Sequence, residues 1–240
     1  MAKNIRQTIY ESLVRRITLG EIPQGTFLTE VSLASLFKAS RTPVREACIK
    51  LLQEGFLRPT SGKGFAVTEL TLDTVRELYQ LRLLLEPFAA ESAARMTLPD
   101  EFFATCAKAN EACGPDIEPT FEAYFRRSTA EGQLHCRIAR ASGNEKLAKI
   151  VADLLNQHRR FHYATFSRRL AEGIHWTAEE HEGILHAIRC HDSGRARTLM
   201  FEHIQAGAER SFRYAMGFAS AQPAQLDHTI RPSAGLRSTP

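Results

Sequence analysis

Nine histidines lie in a chain of 240 residues, and the spacing of a few of them is the first hint of chemistry. Glu131 and His135 stand four apart in a stretch with helical periodicity, so both side chains lie on one helix face and can grip one cation. His181 and His203 follow on two later helical stretches, with an Asp192-Ser-Gly turn between them. A carboxylate and three imidazoles facing one bundle interior suit a divalent transition metal, Zn, Ni or similar, with coordination positions left open for a ligand. Spacing alone leaves it equally open that these are ordinary core or surface histidines. His158 and His162 are also four apart, but Arg159 and Arg160 beside them disfavour a cation. That pair reads as bland, as do His175, His186, His191 and His228.

A second constellation lies near the N-terminus. Ser40-Arg-Thr-Pro-Val-Arg-Glu-Ala-Cys-Ile-Lys-Leu-Leu-Gln-Glu-Gly55 reads as one short helix, capped by Ser40 or Thr42, with Pro43 in its first turn and Gly55 as the stop. Ala47, Cys48, Leu51 and Leu52 form an apolar stripe, whereas Arg41, Thr42 and Arg45 crowd the N-terminal end with donors. A core helix has little use for that cluster; a helix entering the DNA major groove N-terminus first does.

Charge supports this reading. Residues 1–70 hold 10 Lys+Arg against 6 Asp+Glu, and residues 71–240 hold 21 of each, so the whole net charge of +4 sits in the first 70 residues. Phosphate neutralisation supplies most non-specific DNA affinity, so a basic segment joined to a neutral one suits a nucleic-acid reader attached to something else. No apolar run approaches the roughly 18–20 residues that span a bilayer, and the N-terminus lacks the apolar core of a signal peptide. The expectation is a cytoplasmic protein with no membrane partner. The five cysteines show no Cys-x-x-Cys pair and read as reduced core thiols.

The elements that must position these residues follow in order. Ile5, Ile9, Leu13 and Ile17 recur every four residues before Gly20, giving a first amphipathic helix. Thr29 caps a second carrying Leu33, Ala34, Leu36 and Phe37, and Lys38-Ala-Ser40 is the turn into the donor-rich helix, the spacing of a helix-turn-helix. Phe56-Leu-Arg58 and Gly64-Phe-Ala-Val-Thr68 then read as the two strands of a wing, where Gly62 and Gly64 allow close backbone approach to DNA and Lys63 adds charge. From Thr71 the pattern is helical. Val75, Leu78, Leu81, Leu85, Phe88 and Ala89 form a wide apolar face, and further helices are expected at about 100–112, 120–141, 145–170, 177–190 and 193–217, with a capping box at Thr177-x-x-Glu180. The fold class is therefore mainly α: a winged helix-turn-helix over 1–70, an all-α antiparallel helical bundle over 71–218, and a disordered tail over 219–240 rich in Ala, Pro, Ser and Gln.

The run from Ile9 to Val67, with Gly20-Glu-Ile-Pro-Gln-Gly25, Leu28-Thr-Glu30, Ser40-Arg-Thr-Pro-Val-Arg-Glu-Ala47 and Gly55-Phe-Leu57, resembles end to end the DNA-binding domain of the GntR family of bacterial transcriptional regulators. The resemblance implies that Arg41 and Arg45 contact bases, that Thr42 contacts backbone and that Gly62 approaches the minor groove. Phe37-Lys-Ala39 departs from the commoner Leu-Gly-Val. Residues 72–217 resemble the effector domain, often called FCD, of the FadR subfamily, through Leu78-Tyr-Gln-Leu-Arg82 with Glu86, Leu134-His135, Ser142-Gly-Asn144, Glu180-His181, Ala187-Ile188, Asp192, Met200 and His203. In that family a metal is held by an Asp four residues before a His and by two later His. These map onto His135, His181 and His203, with Glu131 in place of the Asp.

Arg82 has two readings, an ion pair with Glu86 four residues on or, as the resemblance implies, a fork of donors clamping an effector carboxylate. Tyr79 and Arg126 are expected as secondary effector contacts. The combined expectation is a homodimeric, ligand-responsive transcriptional regulator, a repressor, reading an inverted-repeat operator in double-stranded DNA and controlled by a small organic acid through the linker near Glu69-Leu-Thr71. The rival readings are a metal-dependent hydrolase or isomerase, since such a site can activate water, and a direct metal sensor. No spare carboxylate, serine or cysteine stands at a readable spacing as base or nucleophile, so the expectation is no enzyme.

Overall fold

In the computed structural model, residues 5–62, 64–69, 71–114, 120–165 and 177–219 are described. Lys63, the tail beyond Ala219, His175, His228 and the end of the helix expected over 145–170 lie outside the described residues.

The N-terminal half is built on α1 (Ile5–Thr18), β1 (Phe27–Leu28), α2 (Glu30–Phe37), α3 (Arg41–Gln53), β2 (Leu57–Pro59) and β3 (Phe65–Val67). Ile9, Leu13, Val14, Leu33, Val44, Ala47, Cys48, Leu51, Phe56 and Val67 bury into one core, so each helix turns most of its apolar stripe inward, whereas Ile5 at the start of α1 and Leu36 of α2 stay exposed. Thr29 caps α2 by accepting from the Ser32 backbone N–H at 3.0 Å, and the three-residue turn closes with Lys38 at φ 48°, a left-handed position that normally favours glycine. The wing strands pair antiparallel, Leu57 with Val67, Arg58 with Ala66 and Pro59 with Phe65. β1 adds to the other edge of β3, giving the order β1-β3-β2. Two residues are too short a strand for sequence periodicity to mark. β1 also revises the expectation for Gly64: a Cβ there would meet Leu28 O and Phe27 Cζ at 2.6 Å, so that glycine serves contact within the sheet. Gly62 faces open space, as a backbone that approaches a ligand must.

The C-terminal half is helical throughout its described residues: α4 (Leu72–Ala94), α5 (Asp100–Glu111), α6 (Phe121–Ala141), α7 (Glu145–Ala164), α8 (Ala178–Arg189) and α9 (Ser193–Ala219). Thr71 caps α4 through the Thr74 backbone N–H at 3.1 Å, and Pro87 sits inside that helix. The long α4 packs along α9 and against α6 and α7. Val75, Tyr79, Ala90, Phe103, Leu134, Ile138, Ile184, Ile188, Met200 and Ile204 fill the bundle core. Only part of the wide apolar face expected on α4 is buried. Val75, Leu78 and Ala89 turn inward, while Leu81 and Phe88 of that face are 46% and 47% exposed; Leu84, outside the expected face, is 71% exposed beside them. The capping box at Thr177 does not form: that side chain makes no cap hydrogen bond, and Glu180 is used elsewhere. Cys48, Cys106 and Cys113 are buried thiols as expected, but Cys136 is half-buried and Cys190 is exposed.

The two halves touch. Tyr124 of α6 packs in the N-terminal core, and α7 lies against α1.

Candidate functional site

Each of the four candidate metal ligands rides on the core stripe of its helix. On α6 the buried positions include Tyr124, Arg127, Ser128 and Glu131 in the first half and Leu134, His135, Ile138 and Ala139 in the second, so His135 sits among apolar neighbours. On α8 His181 precedes Ile184, Leu185 and Ile188, and on α9 His203 lies between Met200 and Ile204. Helical spacing thus carries the polar groups inward with the leucines and isoleucines, and they meet in the middle of the bundle. Glu131, His135, His181 and His203 are all buried, and one ligand atom from each lies within 4.8 Å of the others.

The orientation of the imidazoles is held from behind. His135 Nδ1 donates to Glu86 of α4, His181 Nδ1 donates to Asn110 Oδ1 of α5 at 2.9 Å, and His203 Nδ1 donates to Glu180 Oε2 of α8 at 2.5 Å. With Nδ1 carrying the proton, each Nε2 offers its lone pair to the centre. His135 Nε2 and His181 Nε2 are 3.4 Å apart, the separation of two nitrogens about 2.1 Å from one ion at a tetrahedral angle. Glu131 Oε2 is buried with no hydrogen-bond partner among the described residues.

Protonation follows the same logic. Burial pushes the Glu131 carboxyl up, but Arg127 and the three histidines outweigh it and hold it at about 2. Burial drives His181 well below its ordinary value, with His203 and His135 adding to the effect. His203 is lowered by burial against the opposing bond from Glu180. An ionised Glu131 beside His181 and His203, both favoured neutral, suits a cation, and the residues present fit a divalent transition metal.

Glu86 has a second partner. Arg82, expected on the polar side of α4, is instead buried at 2% exposure, and its Nε donates to Glu86 Oε1 at 2.5 Å. Burial pushes the Glu86 carboxyl up, yet Arg82 and His135 hold it at about 2. Arg82, Glu86 and His135 therefore form one chain of contacts, worth far more attention to orientation than an exposed pair of the same spacing.

A cavity of about 20 Å³ adjoins the cluster, with Glu131 and His203 in its wall and the guanidinium-bearing Arg82, Arg127 and Arg210 around it. That volume holds about one water. Tyr79 lines it, its hydroxyl 2.7 Å from both His158 Nε2 and Ser211 Oγ. Arg126 does not: it is exposed, and its neighbour Arg127 takes the inward position one residue further around α6. His158 and His162, set aside because of the arginines beside them, also line the cavity, although neither joins the cluster of four. His191 is satisfied by the Ala94 carbonyl at 2.9 Å. Asn110 carried no readable signal, because an amide four helices' worth of sequence from its partner has no periodic relation to it. Glu180 was visible only as a cap.

The other candidate site is the outer face of α3. Ser40, Arg41, Thr42 and Arg45 are all exposed, while Val44, Ala47, Cys48 and Leu51 bury the opposite side. Ser40 stands at the N-cap without a side-chain cap bond, and Arg45, 70% exposed, lies 3.7 Å from Glu30. Arg58 on the wing strand β2 is exposed as well.

Comparison with known proteins agrees with both halves. Residues 5–67 match the family described as bacterial regulatory proteins, gntR family, and residues 77–206 match the FCD domain. The Nta operon transcriptional regulator of Aminobacter aminovorans is 30% identical over 182 residues, 75% of this chain and 82% of that protein. The Exu regulon transcriptional regulator of Escherichia coli K12 is 28% identical over 224 residues, 85% of this chain and 83% of its own length. Among solved structures, E. coli McbR/YncC superposes with a TM-score of 0.61 at 19% identity, covering 88% of this chain and 98% of that one, which shows the shared fold.

Proposed function

Because the chain belongs to the gntR family of bacterial regulatory proteins and carries an FCD domain, a family of transcriptional regulators rather than enzymes, we propose that it is a repressor whose operator binding is set by a small organic acid held beside a metal in the helical half. The division of labour is residues 1–70 for DNA and 71–218 for the effector, in a cytoplasmic protein of the FadR subfamily. No helix among the described residues is long and apolar enough to cross a membrane.

The observation that carries this reading is the cavity that shares Glu131 and His203 with the metal cluster and is ringed by arginines. Glu131, His135, His181 and His203 would hold a Zn, Ni or similar ion, which when bound supplies affinity for carboxylate and hydroxyl oxygens. Arg127 and Arg210 offer donors for a carboxylate, since Arg82 is already engaged by Glu86. Tyr79 orients rather than binds, its hydroxyl being shared between His158 and Ser211. On DNA, Arg41 and Arg45 would read guanines in the major groove, Ser40 and Thr42 the backbone, and the wing at Gly62 and Lys63 the minor groove. An inverted repeat demands a two-fold partner, and the exposed stripe Leu81, Leu84, Phe88 on α4 is the apolar face offered to a second copy.

Elemental analysis of the purified protein beside a His135→Ala, His181→Ala double variant tests the centre. About one transition metal per chain, lost in the variant, is expected, followed by calorimetric binding of at least one acid from a panel of hydroxy- and dicarboxylic acids. A wild-type protein that neither contains nor takes up metal overturns the reading. The small size of the cavity favours one second reading, a direct metal sensor. In that case chelation alone releases DNA and no acid binds.

A further inference from the structure

The contacts between the two halves converge on one helix turn. Arg160 of α7 is 5% exposed and reaches out of the bundle: Nη1 donates to the Gly55 carbonyl at 2.7 Å and Nη2 to the Thr68 carbonyl at 2.6 Å. Gly55 ends the recognition helix α3 at φ +76°, and a Cβ there would meet Gln157 of α7 at 3.5 Å. Thr68 follows β3 and starts the connection to α4, its own N–H bonded to the Phe56 carbonyl at 3.0 Å. Next to it, Arg159 lies 3.2 Å from Glu54, whose carboxylate also accepts from Tyr10 of α1 at 2.6 Å.

The other side of the same turn faces the cavity. His158 and His162 line it with ring centroids 4.1 Å apart, His158 bonds Tyr79, and the His162 ring is stacked on Tyr124, whose side chain belongs to the core of the N-terminal half. A buried guanidinium held by two neutral carbonyls, with no carboxylate in ion-pair range among the described residues, is a costly way to fill space. Its geometry is the compensation, because a planar fork fixes two chain segments at once.

We propose that Arg160 is the positioning residue through which α7 holds the end of the recognition helix and the start of the interdomain connection in register with the cavity on its opposite face. A change in the cavity that shifts His158 and His162 then shifts Gly55 and Thr68 through one rigid helix turn. The route expected from sequence, the linker near Glu69-Leu-Thr71, is thereby joined at Thr68, the residue just before it, rather than along its length. The effector side of this inference rests on the proposed metal and acid site; the clamp itself does not.

Hydrogen–deuterium exchange of the full chain, as wild type, R160Q and R160K, separates the two. Without metal, R160Q is expected to exchange about 10-fold faster in peptides covering 51–58 and 65–69 while 131–141 and 184–188 keep wild-type rates, with R160K intermediate because an ammonium reaches one carbonyl. Wild-type rates in 51–58 and 65–69 overturn the proposal, and so does faster exchange spread evenly over all peptides, which makes Arg160 a general core residue. Should R160Q fail to fold, the same local-against-global comparison is read on R160K. With zinc added, slowing at 131–141 is expected to extend to 51–58 in wild type and to stop short of it in R160Q. Slowing at 131–141 that never reaches 51–58 in wild type overturns the coupling. No slowing at 131–141 in either protein sinks the metal reading instead, and the metal-free comparison still decides the clamp.

Discussion

The two halves of this molecule place their polar residues in opposite ways. In the N-terminal half the donors Ser40, Arg41, Thr42 and Arg45 project from one end of a short helix into solvent, and the core beneath them is apolar. In the C-terminal half Arg82, Glu86, Glu131, His135, His181 and His203 are sunk into the bundle, where Glu86 holds Arg82 within α4 and the three histidines each bond a partner on another helix. A surface reader can lose a side chain and keep its fold, because water replaces the lost contact. A buried network cannot, because each deletion strands a desolvated group.

Removing Glu86 tests that contrast most severely. Glu86→Ala leaves Arg82 buried and His135 unheld, and should cost about 3–5 kcal/mol, a fall in Tm of roughly 10 °C. A loss under about 1 kcal/mol would show that the network is wetter and looser than its burial implies. At the surface reader, Arg45→Ala should leave thermal stability within about 0.5 kcal/mol while removing roughly 1–3 kcal/mol of base discrimination on duplexes selected by the wild type. Operator binding as tight as wild type would mean that the outer face of α3 is not the reader.

Asn110→Ala sits between these extremes, since Asn110 is outside the cluster and acts through α8, accepting from His181 and donating to the Ala178 carbonyl at 2.8 Å. Zinc affinity, measured by chelator competition, should weaken about 10- to 100-fold with the helical content unchanged. A smaller effect points in the other direction: Lys38→Gly relieves the left-handed φ of 48° and should stabilise the N-terminal half by about 0.5–1 kcal/mol in a denaturant melt. Equal stability would place the turn under no strain. The smallest readout compares thiols. Burial pushes Cys48 and Cys113 up to about 12 and Cys106 to about 11, so at pH 8 an aromatic disulfide reagent should react first with exposed Cys190, and Cys190→Ser should abolish that fast phase.

The winged half was largely legible because its signals are local. The cap at Thr29, the turn at Lys38-Ala-Ser40 and the apolar stripe of α3 are each decided within a few residues. β1 was not, since Phe27 and Leu28 become a strand only by pairing with Ala66 and Phe65. In the bundle, the four residues that cluster were picked out by type and helical spacing, but their setting was not. Arg126 and Arg127 are adjacent and identical in type, and only the packing of α6 against α4, α5 and α7 decides which faces the cavity. Glu180 follows the capping pattern, yet His203, 23 residues on, takes its carboxylate.

Read alone, the sequence settled which residues are capable of chemistry, which faces are apolar, and the succession of a basic winged helix and a neutral helical half. Tertiary structure alone decided which capable residues meet: that Glu86 serves both Arg82 and His135, that Asn110 backs His181, and that Arg160 reaches Gly55 and Thr68. The physical reason is range. Periodicity, capping and charge act over a turn or two of chain, whereas a buried hydrogen bond is decided by how two distant helices pack, and that packing is a property of the whole core.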